Sequence, residues 1–329
     1  MDIELLSNAP ESVRNFLVYN EAIKNKSSAT VKEYYLDLIT FFRYIRSIKE
    51  KISIEVDFDK IDVSDVDIAL INTININDLY SFLIFCKDKR KNISTTRARK
   101  VSTLRSYFKY IHTNLHLIDH NPAELLETPK LKKALPKHLS LEDSLKLLNS
   151  VISVDNPNKV RDFCIITLFL NCGMRLSELC NINVTDIMPD GSLKITGKGN
   201  KERIIYLNDA CLSSLKDYLK IRPNEGVPAD HKNALFISKH KKRISNKTVQ
   251  HIVYTALEKA GLGGQGFSVH KLRHTAATLM YQHGGVDVRV LQNLLGHENL
   301  GTTQIYTHVA DEQVKNAIDS NPLAKINKK

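Results

Sequence analysis

A stretch rich in proline and lysine near the middle of the chain limits how the chain can fold. It reads NPAELLETPKLKKALPKHLS, residues 121–140, and contains Pro122, Pro129 and Pro136. Proline has no backbone N–H and clashes inside a helix, so this spacing favours an extended segment. A chain of 329 residues is long enough for two ordinary domains. We therefore predict one domain over residues 1–125, a linker over 126–139 and a second domain over 140–329.

Apolar residues recur at helical spacing before this linker. The segment SSATVKEYYLDLITFFRYIRSIK offers Ser27 and Ser28 as N-caps, and ISTTRARKVSTLRSYFKYIHTN offers Thr95 or Thr96. Two amphipathic core helices are expected here. Their apolar faces would be Val31, Tyr34, Tyr35, Leu38, Phe41, Phe42 and Ile45 in the first, and Val101, Leu104, Tyr107, Phe108 and Ile111 in the second.

An acidic, β-branched segment separates these two helical regions. EKISIEVDFDKIDVSDVDIALINTI, around residues 50–75, has no clear helical period. We interpret it as an insertion that forms a loop or short strands.

The second half predicts further helices and one β-hairpin. Ser140 lies three residues before Asp143, as in a capping box, and Gly173 allows a sharp turn after an apolar helix. In SLKITGKGNKERIIYLND, apolar positions alternate on both sides of a glycine-containing turn, which is typical of a hairpin. The alternating positions are Leu193 and Ile195 on one strand, and Ile204 and Tyr206 on the other. The expected fold class is mainly α with a small β-hairpin.

Composition indicates a soluble, basic protein. No segment approaches the roughly 20 apolar residues that a membrane span needs, and the first residues do not resemble a secretory signal, so the cytoplasm is expected. The five cysteines form no CxxC pair and are expected to be reduced and mostly buried. The net charge of +11 favours a polyanionic partner, although many basic proteins bind no nucleic acid specifically.

Basic side chains concentrate on one helix and in the linker. On the helix they are Arg97, Arg99, Lys100 and Arg105, and in the linker they are Lys130, Lys132 and Lys133. A basic stripe on a helix suits contact with DNA phosphates, and a lysine-rich extended segment could follow a phosphate backbone. The alternative is an ordinary solvated surface.

Two features of the second half are candidates for binding an anion. Arg175 lies between two helices with Glu178 three residues later, so the carboxylate could hold the guanidinium while its planar fork faces an anion. Lys198, in the hairpin turn, could approach a phosphate and act as a general acid if its pKa were lowered. A surface salt bridge and a solvated turn are the corresponding structural alternatives.

Histidine and tyrosine residues near the C-terminus add further candidates. His270 and Arg273 are three residues apart at the start of a helix and so share one face. His297 follows the end of a helix at Gly296, and Tyr306 lies in a helix that restarts after a polar turn. Zinc binding is not supported, because no HExxH motif or Cys/His ligand spacing is present.

The order of these residues resembles the active-site set of the tyrosine recombinase/integrase family. The segments GMRLSEL, TGKGNKER, HKLRHTAAT and LLGHENLGTTQIYTH carry the resemblance across the second half, and NPAELLETPK extends it into the first. It is similar to the Xer branch, which resolves circular chromosome dimers and so serves chromosome partition at cell division. The insertion near residues 50–75 departs from a compact Xer-like N-terminal domain, as do Asn171 and Cys172 from the residues more usual before the arginine.

The resemblance implies a mechanism of DNA strand transfer. Tyr306 would attack the phosphodiester and form a 3′-phosphotyrosyl link, Arg175 and Arg273 would hold the non-bridging oxygens, and His297 would add a hydrogen bond. His270 would assist proton transfer at Tyr306, Lys198 would protonate the leaving 5′ oxygen, and Glu178 would orient Arg175. No metal or other cofactor is implied, since the covalent link retains the energy of the phosphodiester.

The resemblance also implies the architecture and the partners. A helical, SAM-like core-binding domain and a catalytic domain would form a C-shaped clamp on double-stranded DNA that carries paired inverted-repeat half-sites. Four protomers would act on two duplexes in the nucleoid, with the C-terminal segment DEQVKNAIDSNPLAKINKK docking on a neighbour. A second recombinase or a DNA translocase could take part, and no membrane is involved. Integration or excision of a mobile element, type IB topoisomerase-like nicking and closing, and non-catalytic DNA binding are the alternatives.

Overall fold

The computed structural model describes residues 7–52, 57–130, 137–153, 156–197 and 202–296, apart from the side chain of Asn293. Within these ranges the fold is mainly helical with one two-stranded antiparallel sheet, so the expected fold class is confirmed. None of the helices in the described ranges is long and apolar enough to cross a membrane.

The chain divides into two compact units, Met1–Lys133 and Ala134–Lys329, each with its own hydrophobic core. The division lies within the predicted linker, where Leu126 packs into the first core and Leu139 into the second. The functions assigned to the two domains stay predictions.

The first unit is helical throughout its described part. Its helices are α1 (Glu11–Ala22), α2 (Ser28–Lys49), α3 (Ile68–Asn72), α4 (Ile76–Asp88) and α5 (Ser94–Lys109), with a 3-10 turn at Phe58–Lys60 and a π-helical turn at Tyr110–Asn114. The predicted apolar faces of α2 and α5 meet in an aromatic core that includes Phe41, Phe42 and Phe108. Ser27 is the N-cap of α2, as expected, because its hydroxyl accepts the N–H of Thr30 at 3.3 Å.

The described part of the segment around residues 50–75 contains loops, the 3-10 turn and α3 but no strand, and its apolar residues join the core (Ile61, Val63, Val66, Ile71 and Ile74). Two expectations for the first unit are wrong. The helix α5 begins at Ser94 after an Ile93 N-cap, so Thr95 and Thr96 lie inside its first turn. Lys100 is buried instead of lying on the exposed basic stripe.

The second unit places helices around the hairpin. Its helices are α6 (Leu141–Ile152), α7 (Lys159–Cys172), α8 (Leu176–Asn181), α9 (Asp209–Ile221), α10 (Asn246–Lys259), α11 (Val269–Gln282) and α12 (Val288–Leu295); its strands are β1 (Ser192–Thr196) and β2 (Glu202–Tyr206). Short 3-10 turns lie at Val184–Asp186 and Ala229–His231. Ser140 caps α6 by accepting the N–H of Asp143 at 3.0 Å. The apolar helix α7 is buried along most of its length.

The hairpin forms as predicted, but the inward face of β2 is shifted by one residue. Leu193 pairs with Ile205, and Ile195 pairs with Arg203. Ile205 is buried, whereas Ile204 and Tyr206 are exposed. Because side chains alternate between the two faces of a strand, this register turns Arg203 toward the interior of the unit.

Candidate active site

Arg175 is placed by the turn between α7 and α8. Gly173 ends α7 with φ of 58°, a left-handed conformation that favours glycine, and Arg175 is the N-cap of α8. Oε2 of Glu178 accepts a hydrogen bond from the backbone N–H of Arg175 at 2.7 Å. Oε1 of Glu178 accepts one from Nη1 of Arg175, also at 2.7 Å. One carboxylate therefore fixes both the backbone and the guanidinium of Arg175, as the sequence predicted for this pair.

A second arginine, Arg203 from β2, binds the same carboxylate. Its Nη1 lies 2.8 Å from Oε1 of Glu178, and its Nη2 lies 2.9 Å from Oε2. This two-point, fork-to-fork contact is among the strong hydrogen-bonding geometries of proteins. Sequence reasoning did not identify Arg203.

Glu178 is kept ionised by these contacts. Its side chain is 1% exposed, and this burial by itself would raise the pKa of the carboxyl group. Hydrogen bonds from Arg203 and from the backbone and side chain of Arg175 outweigh the burial and lower the pKa to about 2. Glu178 therefore carries a full negative charge at neutral pH.

The helix α11 adds a third arginine and a histidine. Arg273 is buried, and its Nη1 donates to Gly173 O at 2.8 Å while lying 4.0 Å from Oε2 of Glu178. His270 lies one helical turn earlier, on the same face of α11. Arg175, Glu178, Arg203 and Arg273 together form what we call the Glu178 cluster.

The three arginines of the Glu178 cluster converge on the end of α12. Arg203 Nε donates to Leu294 O at 3.1 Å, Arg273 Nη2 to Leu295 O at 2.6 Å, and Arg175 Nη2 to Gly296 O at 3.0 Å. The last carbonyls of a helix lack partners within the helix and lie at the negative end of its dipole. Three guanidinium groups thus bind three successive carbonyl oxygens immediately before His297 in the sequence.

His270 has the electrostatic surroundings of a neutral imidazole. The residue is exposed at the surface, but partial desolvation of its ring lowers its pKa, and the positive charges of Arg273, Lys271 and Arg175 lower it further. Its Nε2 lies 3.0 Å from Nε2 of His274, close enough for a hydrogen bond between the two rings. A neutral imidazole can accept a proton, which is the property that a general base requires.

An open cleft of about 840 Å³ gives access to these residues. Arg175, His270 and Arg273 line it together with side chains of α10, including His251 and Tyr254. The structure thus brings together four predicted residues: Arg175, Glu178, His270 and Arg273. Lys198, His297 and Tyr306 lie outside the described residues, so their predicted roles stay predictions.

The predicted DNA-binding residues of the first unit have varied surroundings. Arg97 and Arg99 are half-buried on α5, Arg105 is exposed and donates to Leu126 O, and Lys130 is exposed. Lys100 donates to Asp37 at 2.8 Å in the interior, which binds it to the protein instead of presenting it to a phosphate. The other two predicted contacts, Lys132 and Lys133, lie outside the described residues.

The sequence of this chain is similar to a known protein family and to individual proteins. Residues 137–313 match the phage integrase family. The tyrosine recombinase XerC of Caldanaerobacter subterraneus subsp. tengcongensis is 52% identical over 316 residues, covering 96% of this chain and 88% of that protein. XerC of Thermodesulfovibrio yellowstonii is 36% identical over 326 residues, covering 97% of this chain and 99% of that protein.

Solved structures share the fold of this chain. XerH bound to a palindromic difH substrate matches with a TM-score of 0.70 and 23% identity, covering 97% of this chain and 88% of that one. A lambda integrase tetramer bound to a Holliday junction matches with a TM-score of 0.62 and 18% identity, covering 88% of this chain and 76% of that one. At these identities the two structures establish the shared fold.

Proposed function

Because this chain belongs to the phage integrase family and is a site-specific tyrosine recombinase of the Xer branch, we propose that Tyr306 cuts DNA and forms a 3′-phosphotyrosyl link. The observation that carries this proposal is the Glu178 cluster, in which Arg175 and Arg273 lie beside one carboxylate and both line an open cleft. Both arginines bind the end of the helix that leads, in sequence, to His297 and Tyr306. Two guanidinium groups held in this way are suited to the non-bridging oxygens of one phosphate.

The charge of the cluster favours a transition state that is more negative than the substrate. Attack on a phosphodiester places extra negative charge on its non-bridging oxygens, and preorganised donors stabilise that charge with little reorganisation. Arg175 and Arg273 would supply donors to these oxygens, and His297 would add one more. The carboxylate of Glu178 binds both the side chain and the backbone N–H of Arg175, which limits the motion of the guanidinium.

Proton transfers complete the proposed reaction. The phenolic oxygen of Tyr306 attacks phosphorus, the bond from phosphorus to the 5′ oxygen breaks, and Lys198 gives that oxygen its proton. His270 accepts the proton of the phenol, in keeping with its lowered pKa. A 5′ hydroxyl of another strand then reverses these steps, and no external energy source is needed.

We further propose that four protomers act on two duplexes at paired inverted-repeat half-sites. Similar proteins have been solved on palindromic DNA and as a tetramer on a Holliday junction. In the first unit, Arg97, Arg99, Arg105 and the linker lysines Lys130, Lys132 and Lys133 would contact phosphates. The C-terminal segment 311–329, outside the described residues, would dock on a neighbouring protomer.

The biological role that we propose is resolution of chromosome dimers in the nucleoid, in the cytoplasm. The identity of 52% with a XerC protein over nearly the whole chain supports this choice over integration of a mobile element. A second recombinase and a DNA translocase would be its partners in this role.

Capture of covalent adducts tests the proposal directly. Wild-type protein and Tyr306→Phe are incubated with fragmented host DNA, denatured and purified, and the attached DNA ends are sequenced. We expect wild-type adducts at one inverted-repeat site of the chromosome and none with Tyr306→Phe, although the variant still binds that site. Adducts that persist in the variant would refute Tyr306 as the nucleophile, and adducts at the ends of a mobile element would overturn the proposed biological role.

A further inference from the structure

Arg203 binds the same carboxylate as Arg175 but, unlike Arg175 and Arg273, is not among the residues that line the cleft. Both of its terminal nitrogens bind Glu178, and its Nε binds Leu294 O at 3.1 Å. Its side chain is only 15% exposed, and the cleft is lined by Arg175 and Arg273 instead. The donor groups of Arg203 are therefore directed into the protein.

We propose that Arg203 is a positioning residue that fixes the end of α12 relative to Glu178. It would thereby fix the point from which the chain continues to His297 and Tyr306. This inference rests on the proposed function of Tyr306. Arg203 acts through its neighbours: Glu178 aligns Arg175, and the carbonyl of Leu294 aligns α12.

Arg203 links three separate elements: β2, α8 and α12. The guanidinium joins β2 to Glu178 on α8 and to the last turn of α12. The lysine predicted to protonate the leaving group, Lys198, belongs in sequence to the loop that joins β1 to β2. A rigid link at Arg203 would therefore fix the points from which three segments extend. These segments carry the nucleophile Tyr306, the acid Lys198 and the anion-binding Arg175.

Close packing at Gly296 supports a fixed geometry. Gly296 has φ of 63°, and a Cβ atom at this position would lie 3.3 Å from Nη1 of Arg203. The backbone at the end of α12 therefore lies directly against the guanidinium, and a small shift of Arg203 would move it. Misplacement of a reacting group by about 1 Å can slow a reaction by roughly 10²-fold.

The test replaces Arg203 by lysine, which keeps the positive charge but cannot form the two-point contact or reach Leu294 O at the same time. The DNA is a duplex that carries the site recovered by adduct sequencing, with a nick beside the cleavage position so that the released fragment diffuses away and the adduct accumulates. Two quantities are measured for the folded fraction: the dissociation constant for the duplex and the rate constant of adduct formation at saturating DNA.

Arg161→Lys is the matched control. Arg161 is a buried arginine of the same unit that also binds a carboxylate and a backbone carbonyl, namely Asp162 Oδ1 at 2.8 Å and Ile237 O at 3.0 Å. It lies at the end of α7 opposite Gly173. Its replacement removes comparable bonds without touching the Glu178 cluster.

We expect Arg203→Lys to bind the duplex like the wild type and to form the adduct about 10²-fold more slowly, whereas Arg161→Lys keeps the wild-type rate constant. An unchanged rate constant in Arg203→Lys, or equal losses of DNA binding and cleavage in that variant, would overturn the inference. If the wild type forms no adduct that depends on Tyr306, the proposed function fails first and the inference falls with it.

Discussion

Among the residues that the structure describes, Asp37 in the first unit and Glu178 in the second are both almost fully buried carboxylates held by basic side chains, and the two have different surroundings. Asp37 on α2 binds Arg99 at 2.5 Å, Lys100 at 2.8 Å and Thr103 at 2.8 Å, all three from α5. We call these four residues the Asp37 cluster. In the Glu178 cluster, by contrast, the three arginines come from the turn before α8, from β2 and from α11.

Charge balance separates the two clusters. Among the residues that the structure describes, Arg99 also pairs with Glu33 at 2.9 Å, so two cations face two carboxylates around Asp37. Around Glu178, three arginines lie within 4.0 Å of one carboxylate, and they also donate to neutral carbonyl groups, namely Gly173 O, Leu294 O, Leu295 O and Gly296 O. A buried ion pair is therefore not by itself a sign of function. The excess positive charge beside an open cleft is what favours an anion.

Breaking the Asp37 cluster should have the largest effect, and that effect should be on stability and not on the rate constant of cleavage. Asp37→Asn leaves Lys100 buried without its counter-charge, which typically costs about 3–5 kcal/mol of the free energy of unfolding. Urea titration would measure this loss. The rate constant of adduct formation per folded molecule at saturating DNA should stay at the wild-type value, and a loss of that rate constant would contradict a purely structural role.

Breaking the Glu178 cluster should affect cleavage in addition to stability. Glu178→Gln keeps the size of the side chain but removes the charge that aligns Arg175 and Arg203, so adduct formation on the nicked duplex should slow by at least about 10²-fold. The affinity for DNA should be retained, because the variant loses a negative charge. Parallel losses of affinity and rate would show that the two clusters have the same kind of role.

Acid titration should give the smallest effect and should report on Glu178 itself. The pKa of Glu178 is about 2 in the folded protein against an ordinary 4.5, so the folded state binds fewer protons than the unfolded state between these values. The stabilisation is complete above pH 4.5 and is lost as the pH falls toward 2, with about 2 kcal/mol lost by about pH 3.

The measurement compares urea titrations of the wild type and Glu178→Gln at about pH 6 and about pH 3. Other carboxylates titrate in both proteins, so the informative quantity is the difference between them. That difference in the free energy of unfolding should shrink at the lower pH. A constant difference would mean that Glu178 is not held as a carboxylate of low pKa.

Local patterns in the sequence predicted much of this site. The apolar run before Gly173 predicted the turn that places Arg175, and a spacing of three residues predicted the pairs Arg175–Glu178 and His270–Arg273. These features depend on backbone geometry within one helix or one turn, and residue types alone carry that information. The apolar faces of α2 and α5 were predicted for the same reason.

Contacts between distant segments were not predictable in this way. The spacing of three residues between Lys100 and Thr103 places Lys100 on the inner side of α5. It can be buried there because Asp37, 63 residues earlier, neutralises its charge. The alternation of Ile204 and Tyr206 does not identify Arg203, because both of these residues are exposed. The opposite alternation, with Ile205 inward, would have marked Arg203 as an arginine facing the core.

The five cysteines have a practical consequence for spectroscopy. All are buried with free thiols, and burial raises the pKa of Cys86 to about 11, of Cys164 to about 12 and of Cys180 to about 11. The hydrogen bond with Cys172 lowers the pKa of Cys211, but Cys211 is fully buried and so is shielded from reagents. Thiol-reactive dyes attack accessible thiolates, so native cysteines with these properties should react slowly at neutral pH. A cysteine introduced at an exposed position of each unit could then carry a fluorophore in the otherwise natural sequence, and energy transfer would follow the distance between the units as DNA binds.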